Sequence, residues 1–259
     1  MPRFPRRKGE SGIYHVMVRG SNRQDLFHDD EDRHRFLGTL QRYKVASALE
    51  VPAWCLMGNH VHLLLREGSE PISATMKRMG VSYVRFFNQK YTTSGHLFQD
   101  RFTSEAVDNE AYLKTVVRYI HQNPVKAGLV KGAEDWPWSS CRCYLGSDSL
   151  APGLTDPGFV LSCFADDDFT ARAAFKVFSE ALNTDQCLDI DQVQRTRLSD
   201  AELRKELVLL LKGPSIAQVK GLDKPARDDI LRRAKAIDGA SQRQLARVLG
   251  ISPNLVYKA

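Results

Sequence analysis

The stretch "VPAWCLMGNHVHLLLRE", residues 51–67, constrains this chain more than any other. It is too short for a membrane span, which needs roughly 18 consecutive apolar residues, and its bulky apolar residues suit a pleated, buried surface. Gly58-Asn59 interrupts it as a bend or bulge, so it holds one strand or two. Strands need partners, and the flanks supply them. "IYHVMVRG" (13–20) alternates around β-formers, and "GHLFQDRFTSEAV" (95–107) reads as a polar loop and a strand. Between them lie helical patterns: "HRFLGTLQRYKVASAL" (34–49) and "ISATMKRMGVSYVRFFNQKY" (72–91). In the second, Met76, Met79, Tyr83 and Phe86 or Phe87 share one side, with Lys77, Arg78 and Arg85 on others.

Residues 109–130, "NEAYLKTVVRYIHQNPVKAGLV", complete the series as a helix. Because the residue before a proline avoids the α region, this helix is expected to stop near Gln122 or Asn123. Asn123 would then cap a second short helix, with Pro124 at its first position. The order strand, helix, strand, helix, strand, helix predicts an α+β sandwich with a mixed or antiparallel sheet. "GSDSLAPGLTDPG" (146–158) has linker composition, and "ADDDFT" follows.

Charge divides the chain in the same places. Residues 1–150 hold 21 Lys and Arg against 16 Asp and Glu, residues 151–200 hold 4 against 9, and residues 201–259 hold 12 against 6. The balances are +5, −5 and +6, two basic blocks around an acidic middle, which hints at a polyanionic partner. The last block ends in "SQRQLARVLGISPNLVYKA", where Leu245, Ala246, Leu249, Gly250, Ile251 and Val256 suit a helix-turn-helix. Ser252 would cap its second helix and Pro253 open it; the other reading is a helical hairpin used for packing. The five cysteines lack Cys-x-x-Cys spacing, so neither a disulfide framework nor a structural zinc site is expected. With no uninterrupted apolar segment near the N-terminus, the expected location is the cytoplasm, without membrane association.

His60 and His62 stand one residue apart and would project from one face of a strand. That geometry suits two metal ligands, and equally two ordinary histidines of core or surface. No His-Glu-x-x-His motif accompanies them, which argues against a zinc peptidase. Metal-assisted phosphodiester chemistry is the leading option for a basic protein. Tyr119 precedes Asn123 by four residues, which places phenol and amide on one helix face. They could pair a nucleophile with a third ligand, or serve as core aromatic and helix cap.

"YHVMVRGSNRQDLF" (14–27), "CLMGNHVHLLL" (55–65), "YLKTVVRYIHQNPVKAGLV" (112–130) and "DWPWSS" (135–140) together resemble the single-tyrosine HUH transposases, most closely the REP-associated branch. The resemblance runs through residues 10–145 in order. It implies a ferredoxin-like antiparallel sheet with helices packed on it, followed here by a small all-α, helix-turn-helix-like region. It implies that His60, His62 and Asn123 bind Mg²⁺ or Mn²⁺ and that Tyr119 attacks DNA. Gly58 stands where the family often has proline, a departure that puts little of the chemistry in doubt.

The expected organisation is a tyrosine transposase domain over residues 1–145, a linker and acidic helical segment over 146–200, and a DNA-binding helix-turn-helix-like region over 201–259. Arg19, Arg23, Arg101 and Lys126, in or beside the matched motifs, and Asn254 in the last helix are candidates for holding DNA. The resemblance implies cleavage and rejoining of single-stranded hairpin DNA through a 5′-phosphotyrosine, by a monomer or homodimer. Duplex DNA is a further partner for the C-terminal region. The alternatives are a DNA-binding regulator of repeat elements and an HUH nicking endonuclease.

Overall fold

The computed structural model describes residues 8–147, 150–181, 184–188, 198, 200–211, 215–237 and 239–259. The chain divides into two compact units, with the change near residue 188.

In the first unit, strands β1 (Ile13–Arg19), β2 (Glu50–Leu56), β3 (His60–Arg66) and β4 (Thr103–Ala106) form one sheet in the order β2-β3-β1-β4. Every pairing is antiparallel. With α1 (Asp30–Ser47) after β1 and α2 (Ile72–Tyr91) after β3, this is the expected ferredoxin-like α+β arrangement. Gly58-Asn59 proves to be the turn of a hairpin, so residues 51–67 are two strands. Helix α1 starts four residues earlier than its apolar pattern suggests. Asp29 accepts from the Asp32 N–H while Asp32 accepts from the Asp29 N–H, a capping box that adds a polar first turn.

Alternation along the strands sorts the core into two clusters, one on each face of the sheet. Val16, Val18, Val61, Leu63 and Leu65 pack with Phe36 and Leu40 of α1 and Met79 and Tyr83 of α2. Ile13, Ala53, Cys55 and Leu64 face Leu113, Val116, Val117 and Ile120 of α3 (Glu110–Lys126).

Helix α3 corrects one expectation. It does not end before Pro124; the proline lies inside it, and Asn123 is not a cap. Pro124 sits in the last turn, where it lacks the N–H that would bond the Ile120 carbonyl. The Asn123 side-chain amide donates to the Tyr119 carbonyl at 2.9 Å.

The boundary expected at residue 145 is also displaced. Beyond α4 (Cys141–Tyr144), the helices α5 (Gly158–Leu161) and α6 (Asp168–Glu180) bury Val160, Leu161, Ala171 and Phe175 in the α3 cluster. Phe175 stacks on Tyr144, with ring centroids 4.6 Å apart. Arg118 of α3 holds Asp185 through two bonds of 2.7 and 2.9 Å. The described residues of 146–188 therefore belong to the first unit; their linker-like composition reflects a polar outer surface over an apolar inner one.

The described residues of the second unit carry helices and no strand: α7 (Asp200–Leu211), α8 (Lys224–Lys235), α9 (Gln242–Leu249) and α10 (Pro253–Lys258) surround Leu203, Leu207, Leu231, Leu245 and Val256. Gly250 ends α9 at φ 66°, and the Ser252 hydroxyl accepts from the Asn254 N–H at α10. Asn254 is exposed on that short helix. No helix among the described residues is long and apolar enough to cross a membrane.

Candidate active site

The α3 face of the sheet carries polar groups where an apolar layer would be expected. His15 on β1 and His62 on β3 are almost fully buried, at 0% and 1% exposure. Their rings meet through His15 Nε2 and His62 Nδ1, 3.0 Å apart. His60 lies two residues along the same strand face, its ring centroid 5.1 Å from that of His62. Tyr119 of α3 completes the group, its ring edge-on to His62 at 5.7 Å and to His15 at 5.8 Å.

The hydrogen bonds fix which nitrogen of His60 bears a proton. Asn59 Nδ2 donates to the Arg23 carbonyl at 3.3 Å, so Asn59 Oδ1 faces His60 Nδ1 at 2.7 Å. An oxygen acceptor there requires Nδ1–H, which in the neutral ring leaves Nε2 as the lone-pair nitrogen. Burial, with the neighbouring His15 and His60 rings adding to it, holds the His62 pKa well below the usual histidine value. A neutral imidazole engaged at one nitrogen is the form that ligates metals through the other.

The chain end of β1 is built to support this corner. Arg19 pairs with His60 across the strands, and the Gly20 N–H donates to the Asn59 carbonyl at 2.9 Å. A Cβ at Gly20 would stand 2.0 Å from the Gln24 carbonyl oxygen, so only glycine permits the turn. Arg23 follows at φ 64° and is exposed. Arg101 is exposed ahead of β4, whose Thr103 pairs with Met17, and so lies towards the same end of the sheet. Tyr119, Asn123 and Lys126 share one face of α3, and Lys126 Nζ sits 4.7 Å from the Tyr119 ring centroid. Asn254 belongs to the second unit.

Sequence reasoning overlooked His15 and Asn59, the two side chains that orient the paired histidines. The signal for His15 was its place in "YHVMV", where period two puts it on the face away from Tyr14, Val16 and Val18.

Residues 9–123 match the family described as IS200-like transposases. The match spans β1 to Asn123 and takes in both histidines and Tyr119. Over 93 residues the chain is 31% identical to the REP-associated tyrosine transposase of Escherichia coli K12, covering 35% of this chain and 53% of that protein. Over 155 residues it is 28% identical to a Haemophilus influenzae protein provisionally named for the same role, covering 54% of this chain and 85% of the other. A solved structure of a REP-associated tyrosine transposase bound to a REP hairpin aligns with a TM-score of 0.49 and 22% identity, over 65% of this chain and 93% of that one.

Proposed function

We propose that this transposase cuts and rejoins single-stranded hairpin DNA at Tyr119, with a divalent cation, Mg²⁺ or Mn²⁺, held by His60, His62 and Asn123. The observation that carries the reading is a buried tyrosine edge-on to two buried histidines on a face otherwise packed with apolar side chains. A bland core has no use for three such groups, each of which costs free energy to desolvate.

Two imidazoles and an amide oxygen are donor types that suit such a cation. Among the described residues no three His, Cys, Asp or Glu side chains are placed to hold a metal ion, and the reading therefore takes its third ligand from Asn123. The Asn123 amide nitrogen is committed to the Tyr119 carbonyl, which leaves its Oδ1 as the ligand atom. A bound divalent cation would offset negative charge on the scissile phosphate. His15 and Asn59 are positioning residues that hold His62 and His60 in the tautomers that present Nε2.

Tyr119 Oη forms the new bond to phosphorus as the phosphorus–O3′ bond breaks. The leaving oxygen takes a proton and becomes a 3′-OH, while the phenolic proton passes to solvent. The product is a 5′-phosphotyrosine, which a second 3′-OH can attack to rejoin the strand. The Lys126 ammonium beside the ring can face the charge of the scissile phosphate. Arg19, Arg23 and Arg101 at the His60 end hold flanking phosphates. Incubation with hairpin DNA and Mn²⁺ should give a covalent adduct that Tyr119→Phe abolishes; no adduct across a range of hairpins sinks the reading.

A further inference from the structure

The opposite side of the first unit carries a second charged feature that the chemistry at Tyr119 does not use. The outer surfaces of α1 and α2 enclose a groove of about 810 Å³. Arg35 and Arg42 line it from α1, Lys77, Arg78 and Arg85 from α2, and no carboxylate is among its lining residues. All five cations are exposed. Only Arg78 has an ion-pair partner among the described residues, Glu70. Five like charges gathered at one groove repel one another unless an anion lies between them.

Their placement is organised. Arg35 reaches over the Phe86 ring at 5.3 Å, and Tyr43 is flanked by Arg42 at 5.0 Å and Arg78 at 5.5 Å. Arg42 also donates to the Ser82 hydroxyl across the two helices at 2.8 Å. The rings thus serve as platforms for guanidinium groups and are not open for bases to stack on. Single strands are gripped by base stacking on bare aromatics, whereas a duplex hides its bases and offers phosphates. The groove suits the second.

We propose that the α1–α2 groove docks the phosphate backbone of double-stranded DNA, separate from the hairpin strand at Tyr119. The sheet and the α1–α2 layer stand between the two features, since α3 and the histidines occupy the other face. The groove would hold the enzyme on a duplex without reading its sequence.

The test is fluorescence anisotropy of the full chain with a hairpin-free duplex of about 20 base pairs over a salt series. Lys77→Gln/Arg85→Gln removes two exposed charges that pack against no core. It should weaken duplex binding roughly tenfold and flatten the slope of log affinity against log salt by about 2. The C-terminal unit is present in both proteins, so the difference isolates the groove. Binding of an unstructured single strand and adduct formation on a hairpin should be unchanged. An unaltered duplex slope overturns the proposal. So does a loss confined to hairpin DNA, which would make the occupant the hairpin's own stem, or an equal loss on single strands. Adduct formation is read separately, so failure here leaves the assignment of Tyr119 standing, and the converse holds.

Discussion

The two faces of the sheet are made from the same strands and do opposite work. On the α1–α2 face the inward side chains are mostly aliphatic and aromatic, although the buried Asp32 carboxylate is held there by Lys90 and Tyr91, and the groove cations are kept to the outside of the helices. On the α3 face the polar groups are inside: His15, His62 and His121 are all buried at 1% or less. Alternation with period two makes this possible, because Val61 and Leu63 can anchor β3 on one side while His60 and His62 are presented on the other. One face supplies stability at low cost, and the other accepts buried imidazoles beside Tyr119, the site proposed above.

The largest effects should separate the faces by activity. Tyr119→Phe removes one oxygen and should abolish the covalent adduct, while thermal unfolding and duplex binding stay as in the parent. His15→Ala should weaken Mn²⁺ binding by about 10- to 100-fold, the range seen when a group orienting a metal-bound histidine is lost. Electron paramagnetic resonance of added Mn²⁺ reads this directly, without turnover. His15→Gln, which can still accept at the position of Nε2, should recover part of the affinity. Equal losses for Ala and Gln would show that His15 only fills space.

Packing gives the next contrast. Phe175 is fully buried against Tyr144 and His121, although it comes from the segment with linker composition. Phe175→Ala should cost about 3–5 kcal/mol, as for any buried phenylalanine, measured by urea denaturation. Phe36→Ala on the other face should cost as much. A cost below about 1 kcal/mol for Phe175→Ala would mean that α6 packs loosely and is dispensable to the first unit.

Acid should distinguish the faces as well. Burial lowers the His121 pKa to about 3 and that of His62 well below 6.5. Once unfolded, both take up protons near pH 6.5, so the unfolded state binds more protons than the native one below that pH. Stability should fall as pH drops from 6.5 towards 3, by on the order of 1 kcal/mol per unit for His121. On the α1–α2 face the shifted groups Asp29 and Asp32 are instead lowered carboxylates, held by hydrogen bonds from Lys90, Tyr91 and backbone N–H groups. Their contribution is intact above pH 4 and is lost only as pH falls through their lowered values. Hydrogen exchange between pH 6.5 and 4 should therefore show α3 opening before α1 and α2.

Much of this was legible because it is local. The strand and helix order, His60 and His62 on one face, and Tyr119 four residues before Asn123 all follow from spacing. What stayed hidden depends on partners far along the chain. His15 meets His62 across 47 residues, and the basic groove exists only because α1 and α2 lie side by side. The packing of α6 was masked by composition, since a helix buried on one side reads as polar when its residues are averaged.

Pro124 offers the smallest and most exacting comparison. Local rules place a helix end before it, yet α3 continues to Lys126. Pro124→Ala restores an N–H that can bond to the Ile120 carbonyl, worth about 1 kcal/mol. It also removes buried ring carbons, at a similar cost of about 1 kcal/mol. The two nearly cancel, so stability should change by less than about 1 kcal/mol. Adduct formation should survive, because the Asn123-to-Tyr119 bond lies entirely before the proline. Loss of the adduct at unchanged stability would show that the proline shapes the end of α3, and with it the position of Asn123, for the chemistry on that face.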